Sequence, residues 1–237
     1  IAKVGYPMGM MYGFIYEGTY KYEDFDKVSD TYTLKRNVPY FSSESNTQPG
    51  MPKYADLNGD GIIDDNDRTM IGNGMPKHTG GFTNNFEYKG FDLSIFFQWS
   101  YGNDVLNANR LFFENSNKTR DLNQYASYAD RWTPENPESN IPRATDSGSN
   151  KVFSTRIIED GSFLRLKTVS LGYTLPKQLT KKWKIDNARV FVAGQNLWTC
   201  TGYSGYDPEV SIREGALTPG LDFSAYPRAY SISFGIN

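Results

Sequence analysis

The sequence has 237 residues, and its 25 lysines and arginines nearly balance 27 aspartates and glutamates, which gives a net charge of −2. A near-neutral chain lacks the basic surface that nucleic-acid binding requires, so no nucleic acid partner is expected. One cysteine, Cys200, and one histidine, His78, exclude a disulfide framework within the chain and any Cys/His-rich metal centre. No apolar run approaches about 20 residues, the length of a membrane helix, but this composition still allows membrane strands, which alternate.

Several segments alternate between apolar and polar residues, which is the period of a β-strand. We predict about six strands, over residues 8–16, 82–88, 91–101, 163–175, 188–199 and 226–237. In the third of these, Phe91 to Tyr101, one face is apolar and the other is mostly polar. Lys89-Gly90 between the second and third strands suits a two-residue hairpin turn. In 188–199 both faces carry apolar residues, so the pattern leaves the facing of that strand open.

The connections between these strands alternate strictly between long and short. Residues 21–80, 102–162 and 200–225 are long and rich in Asn, Asp, Ser, Pro and Gly, whereas 89–90 and 176–187 are short. In an up-and-down barrel all the long loops then lie on one side, as in outer-membrane barrels. A soluble β-sandwich with one wet face is the alternative, because alternation alone does not separate the two.

Three features favour the membrane interpretation over the sandwich. The apolar faces end in aromatic residues, as in the aromatic girdles of membrane barrels. The opposite faces carry polar side chains, whose burial without partners in a dry core would be unfavourable. A sandwich also gives no reason for long and short connections to alternate. The terminal aromatics are Tyr88, Trp99, Tyr101 and Tyr173. We therefore predict an all-β fold, an antiparallel transmembrane β-barrel segment with long extracellular loops.

Residues 56–67 follow the pattern of a twelve-residue calcium loop. The predicted ligands, at positions one, three, five, seven, nine and twelve, are Asp56, Asn58, Asp60, the backbone carbonyl of Ile62, Asp64 and Asp67. Gly61 at position six allows the sharp turn, while Asp67 replaces the usual glutamate, so bidentate closure is less certain. We predict a structural Ca²⁺ that staples the loop. An Asn/Asp/Gly turn without metal is the alternative.

No constellation in the sequence predicts covalent catalysis. His78 has no nucleophile beside it, and an enzyme is the least favoured of the functions considered. Three aromatic residues in long loops, Trp132, Tyr203 and Tyr206, are candidates for stacking on a sugar. Packing of a loop onto its base is their more common role. The cluster Lys181-Lys182-Lys184 lies in a short turn and is expected to be solvated.

The chain resembles a known family in several motifs that occur in one order. These are DLNGDGIIDDNDRTMIGN, PKHTGGFTNNFEYKGFDLSIFFQWSYGND, SFLRLKTVSLGYTLP and ARVFVAGQNLWTCTGYSGYDPE, together with MGMMYGFIYEGTY near the start. They resemble the C-terminal part of SusC/RagA-type TonB-dependent outer-membrane transporters of Bacteroidetes. Residues 1–237 would then be a C-terminal portion of a barrel of about 22 strands, without its plug domain.

This resemblance implies a function and a set of partners. The expected protein is a nutrient importer for glycans, oligosaccharides or peptides, embedded in outer-membrane lipid with its C-terminus in the periplasm. A SusD-like lipoprotein would close over the cargo, and the TonB complex would act through the missing plug. The alternative is a secreted or surface calcium-binding β-domain that binds carbohydrate or a protein partner.

Overall fold

The computed structural model describes residues 2–115, 123–145, 152–209, 211 and 218–237. Residues 116–122, 146–151, 210 and 212–217 of the predicted long loops lie outside this range. The chain divides into two compact units. The loop unit comprises Ile1–Gly74, Val105–Glu159 and Ser211–Ser224, and the sheet unit comprises Met75–Asp104, Asp160–Val210 and Ala225–Asn237.

The regular secondary structure of the described residues is mostly β-strand. In chain order these are β1 Met10–Gly13, β2 Tyr16–Thr19, β3 Phe25–Val28, β4 Thr31–Leu34, β5 Tyr40–Phe41, β6 Pro52–Tyr54, β7 Ile62–Ile63, β8 Thr69–Asn73, β9 His78–Tyr88, β10 Phe91–Tyr101, β11 Asp104–Asn107, β12 Ile158–Asp160, β13 Phe163–Thr174, β14 Arg189–Thr201, β15 Leu221–Asp222 and β16 Ser231–Ile236. The α-helices are α1 Asn109–Phe113 and α2 Lys177–Thr180. None of the described helices is long and apolar enough to cross a membrane.

The sheet unit is built on one five-stranded antiparallel sheet in the order β16-β14-β13-β10-β9. The predicted strands 82–88, 91–101, 163–175 and 188–199 are confirmed as β9, β10, β13 and β14. The predicted last strand is shorter than expected and is confined to β16. The turn between β9 and β10 is also confirmed, because Lys89 and Gly90 have φ values of 47° and 86°, both positive as a type I′ turn requires.

Cross-strand pairing assigns the paired side chains of this sheet to its two faces, since directly opposed residues point the same way. One row reads Tyr88, Phe91, Tyr173, Val190 and Ile236, the next Phe86, Leu93, Leu171, Val192 and Phe234, and the third Asn84, Ile95, Val169, Gly194 and Ile232. These rows form the apolar face. The facing that the sequence left open in β14 is thereby resolved: Val190 and Val192 lie on the apolar face.

The opposite face of the sheet is mostly polar and carries a charged bridge. Its rows include Glu87, Asp92, Gly172, Phe191 and Gly235, followed by Asn85, Ser94, Ser170, Ala193 and Ser233. Arg189 extends across β13 to form a bidentate ion pair with Asp92. It passes over Gly172, where an added Cβ would collide with the guanidinium group. A glycine at this position therefore keeps the path between β10 and β14 open.

The apolar face of the sheet remains exposed. Phe86, Phe91, Ile232, Phe234 and Ile236 are between 51% and 81% exposed. In the described part of the sheet unit the buried apolar side chains are Phe163, Ala188 and Tyr203, none of which belongs to the three apolar rows. The sheet therefore lacks the hydrophobic core that a water-soluble sandwich would need.

The loop unit has its own core. One buried cluster consists of Phe14, Tyr54 and Ile63, and a second consists of Tyr20, Phe25 and Leu34. Its strands are short and form small sheets, namely β1-β8, β2-β6, β3-β4, β5-β7 and the three-stranded β12-β11-β15. The first predicted strand, 8–16, is therefore corrected: it is the short β1, which pairs with β8 instead of joining the large sheet, followed by β2 from Tyr16.

Candidate functional site

The calcium-like loop 56–67 belongs to the loop unit and is organised by its own side chains. Asp56 accepts hydrogen bonds from the backbone N–H groups of Gly59 (2.7 Å) and Gly61 (2.8 Å). Asn58 and Asp60 accept the N–H groups of Asp60 (2.9 Å) and Ile62 (2.8 Å). Asp56, Asn58 and Asp60 thus fix the backbone two to five residues ahead of them, which folds the loop tightly around its acidic side chains.

Asp67 closes the loop from the inside. Its carboxylate is fully buried and accepts hydrogen bonds from the N–H groups of Leu57 (2.8 Å), Asn58 (3.3 Å) and Asp64 (2.8 Å). Burial alone would raise the pKa of Asp67, but these donors together outweigh it and the pKa is lowered. The last predicted ligand is therefore an ionised carboxylate that joins both ends of the loop.

The donor set of this loop suits a hard cation. The predicted side-chain ligands offer only oxygen atoms, and Asp60 and Asp64 are exposed to solvent. Within the described ranges, no three His, Cys, Asp or Glu side chains come close enough to hold one metal ion. A calcium ion would consequently have to draw Asp56, Asp60 and Asp64 inward.

The three aromatic candidates for sugar stacking have different environments. Trp132 is 5% exposed and lies against Tyr22, with ring centroids 5.6 Å apart. Tyr203 is 6% exposed, whereas Tyr206 is 83% exposed. Burial of Trp132 and Tyr203 favours the packing role that the sequence left open for them. Tyr206 alone of the three offers a free ring face to a ligand.

A buried polar network in the loop unit was missed at the sequence level. The side chain of Glu114 is 3% exposed and accepts hydrogen bonds from Arg156 (2.6 Å), Arg110 (3.1 Å) and Ser127 (2.8 Å). Arg110 lies in α1 and Glu114 follows the last residue of that helix, whereas Ser127 and Arg156 lie in two short helices, Ala126–Asp130 and Thr155–Ile157. The network therefore connects three stretches of the 102–162 connection that are distant in sequence, and no local sequence motif predicts it.

A second charged cluster fixes the loop after β14 in the sheet unit. Arg165 in β13 and Asp207 are each 3% exposed, and their side chains are 2.5 Å apart. Glu209 lies 3.2 Å from Arg165 and 2.9 Å from Arg228. Burial acts to raise the pKa of Asp207, but the Arg165 guanidinium and the N–H groups of Glu209 and Arg228 outweigh it and lower the pKa. This ion-pair cluster holds residues 202–209 against β13.

His78 falls within the predicted connection 21–80, but in the structure it is the first residue of β9. Its ring stacks on Tyr101, with centroids 5.1 Å apart, and its Nδ1 accepts a hydrogen bond from the Trp99 indole at 3.1 Å. The histidine thus belongs to an aromatic cluster at one end of the sheet. In the described residues no nucleophile hydrogen-bonds to it.

With the geometry described, the chain can be compared with known proteins. No protein-family model matches it. It is 34% identical to the TonB-dependent receptor P3 of Formosa agariphila over 244 residues, an alignment that covers 100% of this chain and 22% of that receptor. It is 27% identical to the TonB-dependent receptor SusC of Bacteroides thetaiotaomicron over 195 residues, covering 82% of this chain and 18% of SusC.

The fold leads to the same class. The solved structure of the RagAB peptide transporter matches 99% of this chain and 23% of the transporter chain, with a TM-score of 0.71 and 26% identity. The RagAB importer in its open-open state matches with a TM-score of 0.67 and 27% identity. Both the sequence relatives and the solved structures thus assign this chain to the TonB-dependent receptors. It belongs to the SusC/RagA type and spans about a fifth of the relatives that it matches.

Proposed function

We propose that this chain forms part of a TonB-dependent outer-membrane importer that takes up nutrients. The observation that carries the proposal is the large sheet with three consecutive apolar rows exposed on one face and polar residues on the other. A barrel strand in a membrane needs this division, because one face contacts lipid and the other lines the lumen. The missing strands of the barrel would pair with the free edges of β9 and β16.

The loop lengths support one orientation of the segment in the membrane. The short turns 89–90 and 176–187 belong on the periplasmic side, and the three long connections belong on the external side. The external connections would then meet a SusD-like surface lipoprotein. The Glu114 network and the Arg165–Asp207 pair make those connections rigid enough to present a defined surface.

The cargo proposed is an oligosaccharide or a peptide, and RagAB provides the precedent for a peptide. Tyr206 is the candidate contact, because its ring is exposed. The TonB complex would act through a plug domain outside this chain. We propose no covalent chemistry for the described residues.

Deletion of the gene in its native host tests the function. Growth should fail or slow on one peptide or oligosaccharide source and be unaffected on glucose, and a tagged receptor should co-purify with a surface lipoprotein from the outer membrane. Recovery of the protein in a soluble fraction would contradict the proposal. It would favour the alternative, a secreted or surface calcium-binding β-domain, which would fold alone in buffer.

We also propose that the loop 56–67 binds a structural Ca²⁺. Ca²⁺ prefers six to eight oxygen ligands, and the loop supplies carboxylate, amide and backbone oxygens at the required spacing. The ion would neutralise the clustered carboxylates and stiffen the loop. Its role would be structural, because Ile63 within this loop is part of the loop unit's own core.

Calcium-dependent proteolysis tests the metal site. Calcium should slow cleavage within residues 56–67 of the wild-type receptor, and Asp60→Asn should largely remove this protection while the rest of the receptor remains folded. Asp65→Asn is the matched control, because Asp65 is exposed, pairs with Arg68 at 3.0 Å and occupies no ligand position. Equal cleavage rates with calcium and with chelator would rule out the site.

A further inference from the structure

The turn between β13 and β14 exposes large apolar side chains. Leu179, Trp183 and Ile185 are 43%, 63% and 43% exposed. Isolated exposed apolar residues are common, but three within seven residues of a turn, one of them a tryptophan, form a patch. Tryptophan has an apolar body and a polar N–H group, so its preferred location is the boundary between water and an apolar phase.

This turn has a defined backbone. The N–H groups of Leu179 and Ile185 donate to the carbonyls of Pro176 (2.9 Å) and Thr180 (3.1 Å), and the Thr180 side chain is buried. Lys184 has a φ of 56° and donates to the carbonyl of Lys181 at 3.2 Å. Leu179 is therefore presented outward by α2 and Trp183 by the single-turn helix Lys181–Trp183 that follows it, while Ile185 lies two residues further on.

The same turn is strongly basic. Lys177, Lys181, Lys182 and Lys184 are all exposed, and none forms an ion pair with a described residue. Asp186 is the only acidic residue between 176 and 187. The neighbouring hairpin turn lies at the same end of the sheet, because the N–H of Thr174 donates to the carbonyl of Gly90 at 2.8 Å.

That hairpin adds residues of the same kind. Tyr88 is 70% exposed, and the Lys89 ammonium lies 5.1 Å from the centroid of its ring. Tyr88 also ends an apolar row of the sheet, so the basic end continues directly into the exposed apolar face. Positive charge, exposed aromatics and an adjoining apolar face are together the features of a surface that contacts anionic lipid headgroups.

We propose that this surface, which we name the basic turn, binds anionic phospholipids of the periplasmic leaflet. The basic turn consists of Leu179, Trp183, Ile185, the four lysines 177, 181, 182 and 184, and Tyr88 with Lys89. The inference rests on the proposed function, which places this end of the sheet at that leaflet. The lysines pair with lipid phosphates, and Trp183 and its apolar neighbours enter the headgroup region. A soluble acidic protein partner is less well matched, since it would leave the adjoining apolar rows uncovered.

Hydrogen exchange in lipid nanodiscs tests the proposal. The complete receptor is placed in discs of phosphatidylcholine with or without phosphatidylglycerol, and exchange of residues 179–185 is measured. We expect slower exchange with phosphatidylglycerol and loss of that difference in K181Q/K182Q/K184Q, since each lysine contributes about a fivefold effect on binding to an anionic surface. The matched control is K3Q/K27Q/K77Q, which removes three exposed lysines that are not part of the basic turn.

The outcomes separate this proposal from the function on which it rests. If residues 179–185 exchange equally slowly, or equally fast, in the two kinds of disc while β13 and β14 remain protected, the proposal of anionic lipid binding is wrong. The proposed importer function is unaffected by that result. Loss of the effect in the K3Q/K27Q/K77Q control would also overturn it, because the attraction would then be non-specific. If β13 and β14 gain no protection from hydrogen exchange in any disc, both proposals are wrong, because the receptor does not insert into lipid.

Discussion

The buried pair of Arg165 and Asp207 is the single-residue feature with the largest expected effect. Removing the charge of Asp207 takes away the shorter of the two ion pairs of the buried Arg165 guanidinium and leaves it Glu209 at 3.2 Å, and breaking a buried pair on one side costs about 3 kcal/mol. Asp207→Asn should therefore accelerate hydrogen exchange of residues 202–209 by roughly 100-fold. Unchanged exchange in this variant would show that the pair does not anchor the loop.

Arg228→Gln provides the matched control for that variant. Arg228 pairs with Glu209 at 2.9 Å but its side chain is 50% exposed. Exposed pairs contribute about 0–1 kcal/mol, so exchange of the same loop should change by fivefold at most. The two variants together separate burial from simple ion-pair loss.

Gly50 is required in the loop unit for two reasons. Its φ is +83°, and an added Cβ would collide with the indole of Trp132. Gly50→Ala should therefore cost about 1–2 kcal/mol for the left-handed backbone and about 1–3 kcal/mol for overpacking. The readout is faster proteolysis around residues 50 and 132. Gly5→Ala is the control, since Gly5 has a φ of +87° but nothing within 4 Å, and an equal effect in both variants would contradict the account.

At the scale of single residues, the sequence revealed little of the candidate site. Arg165 and Asp207 are 42 residues apart, and Glu114 and Arg156 are also separated by 42 residues, so neither pair forms a local motif. The calcium-like loop could be predicted from the sequence, because all its predicted ligands lie within the twelve residues 56–67. For Trp132 the sequence left sugar stacking and loop packing open, with packing the more common role, and only its three-dimensional contact with Tyr22 reveals its burial.

At the scale of elements, strands of the large sheet were predictable and those of the loop unit were not. β9, β10, β13 and β14 are 11 to 13 residues long, so their alternation is sustained. The strands within residues 21–73 span two to five residues. Apart from the neighbouring pair β3 and β4, they pair with strands distant in sequence, such as β8 with β1. The predicted long loop there was wrong in this respect, because it contains β3 to β8.

The hairpin turn at Lys89-Gly90 supports a prediction for this element. Both residues have positive φ, which asparagine tolerates better than lysine does. Lys89→Asn should stabilise the hairpin by about 0.5 kcal/mol, while Gly90→Ala should destabilise it by about 1–2 kcal/mol. Hydrogen exchange of residues 86–93 is the measurement. The same direction of change in both variants would contradict the type I′ assignment.

At the scale of the whole molecule, the exposed apolar face of the sheet decides between the fold classes. Burial of a side chain such as phenylalanine or isoleucine stabilises a protein by about 1.5–3 kcal/mol relative to exposure. Leaving Phe86, Phe91, Ile232, Phe234 and Ile236 in water would forfeit that stabilisation at each position. Under the proposed function, lipid against these rows would remove the cost, and it would account for the few buried apolar side chains in the described part of the sheet unit.

The lipid-facing orientation of the large sheet can be measured at two adjacent residues of β16, Phe234 on the apolar face and Ser233 on the polar face. Each is replaced by cysteine in the complete receptor with Cys200→Ser, spin-labelled in nanodiscs, and probed with oxygen and with a water-soluble nickel complex. We expect preferential collision with oxygen at position 234 and with nickel at position 233. Equal access of nickel to both positions, or exclusion of both probes from position 234, would contradict it.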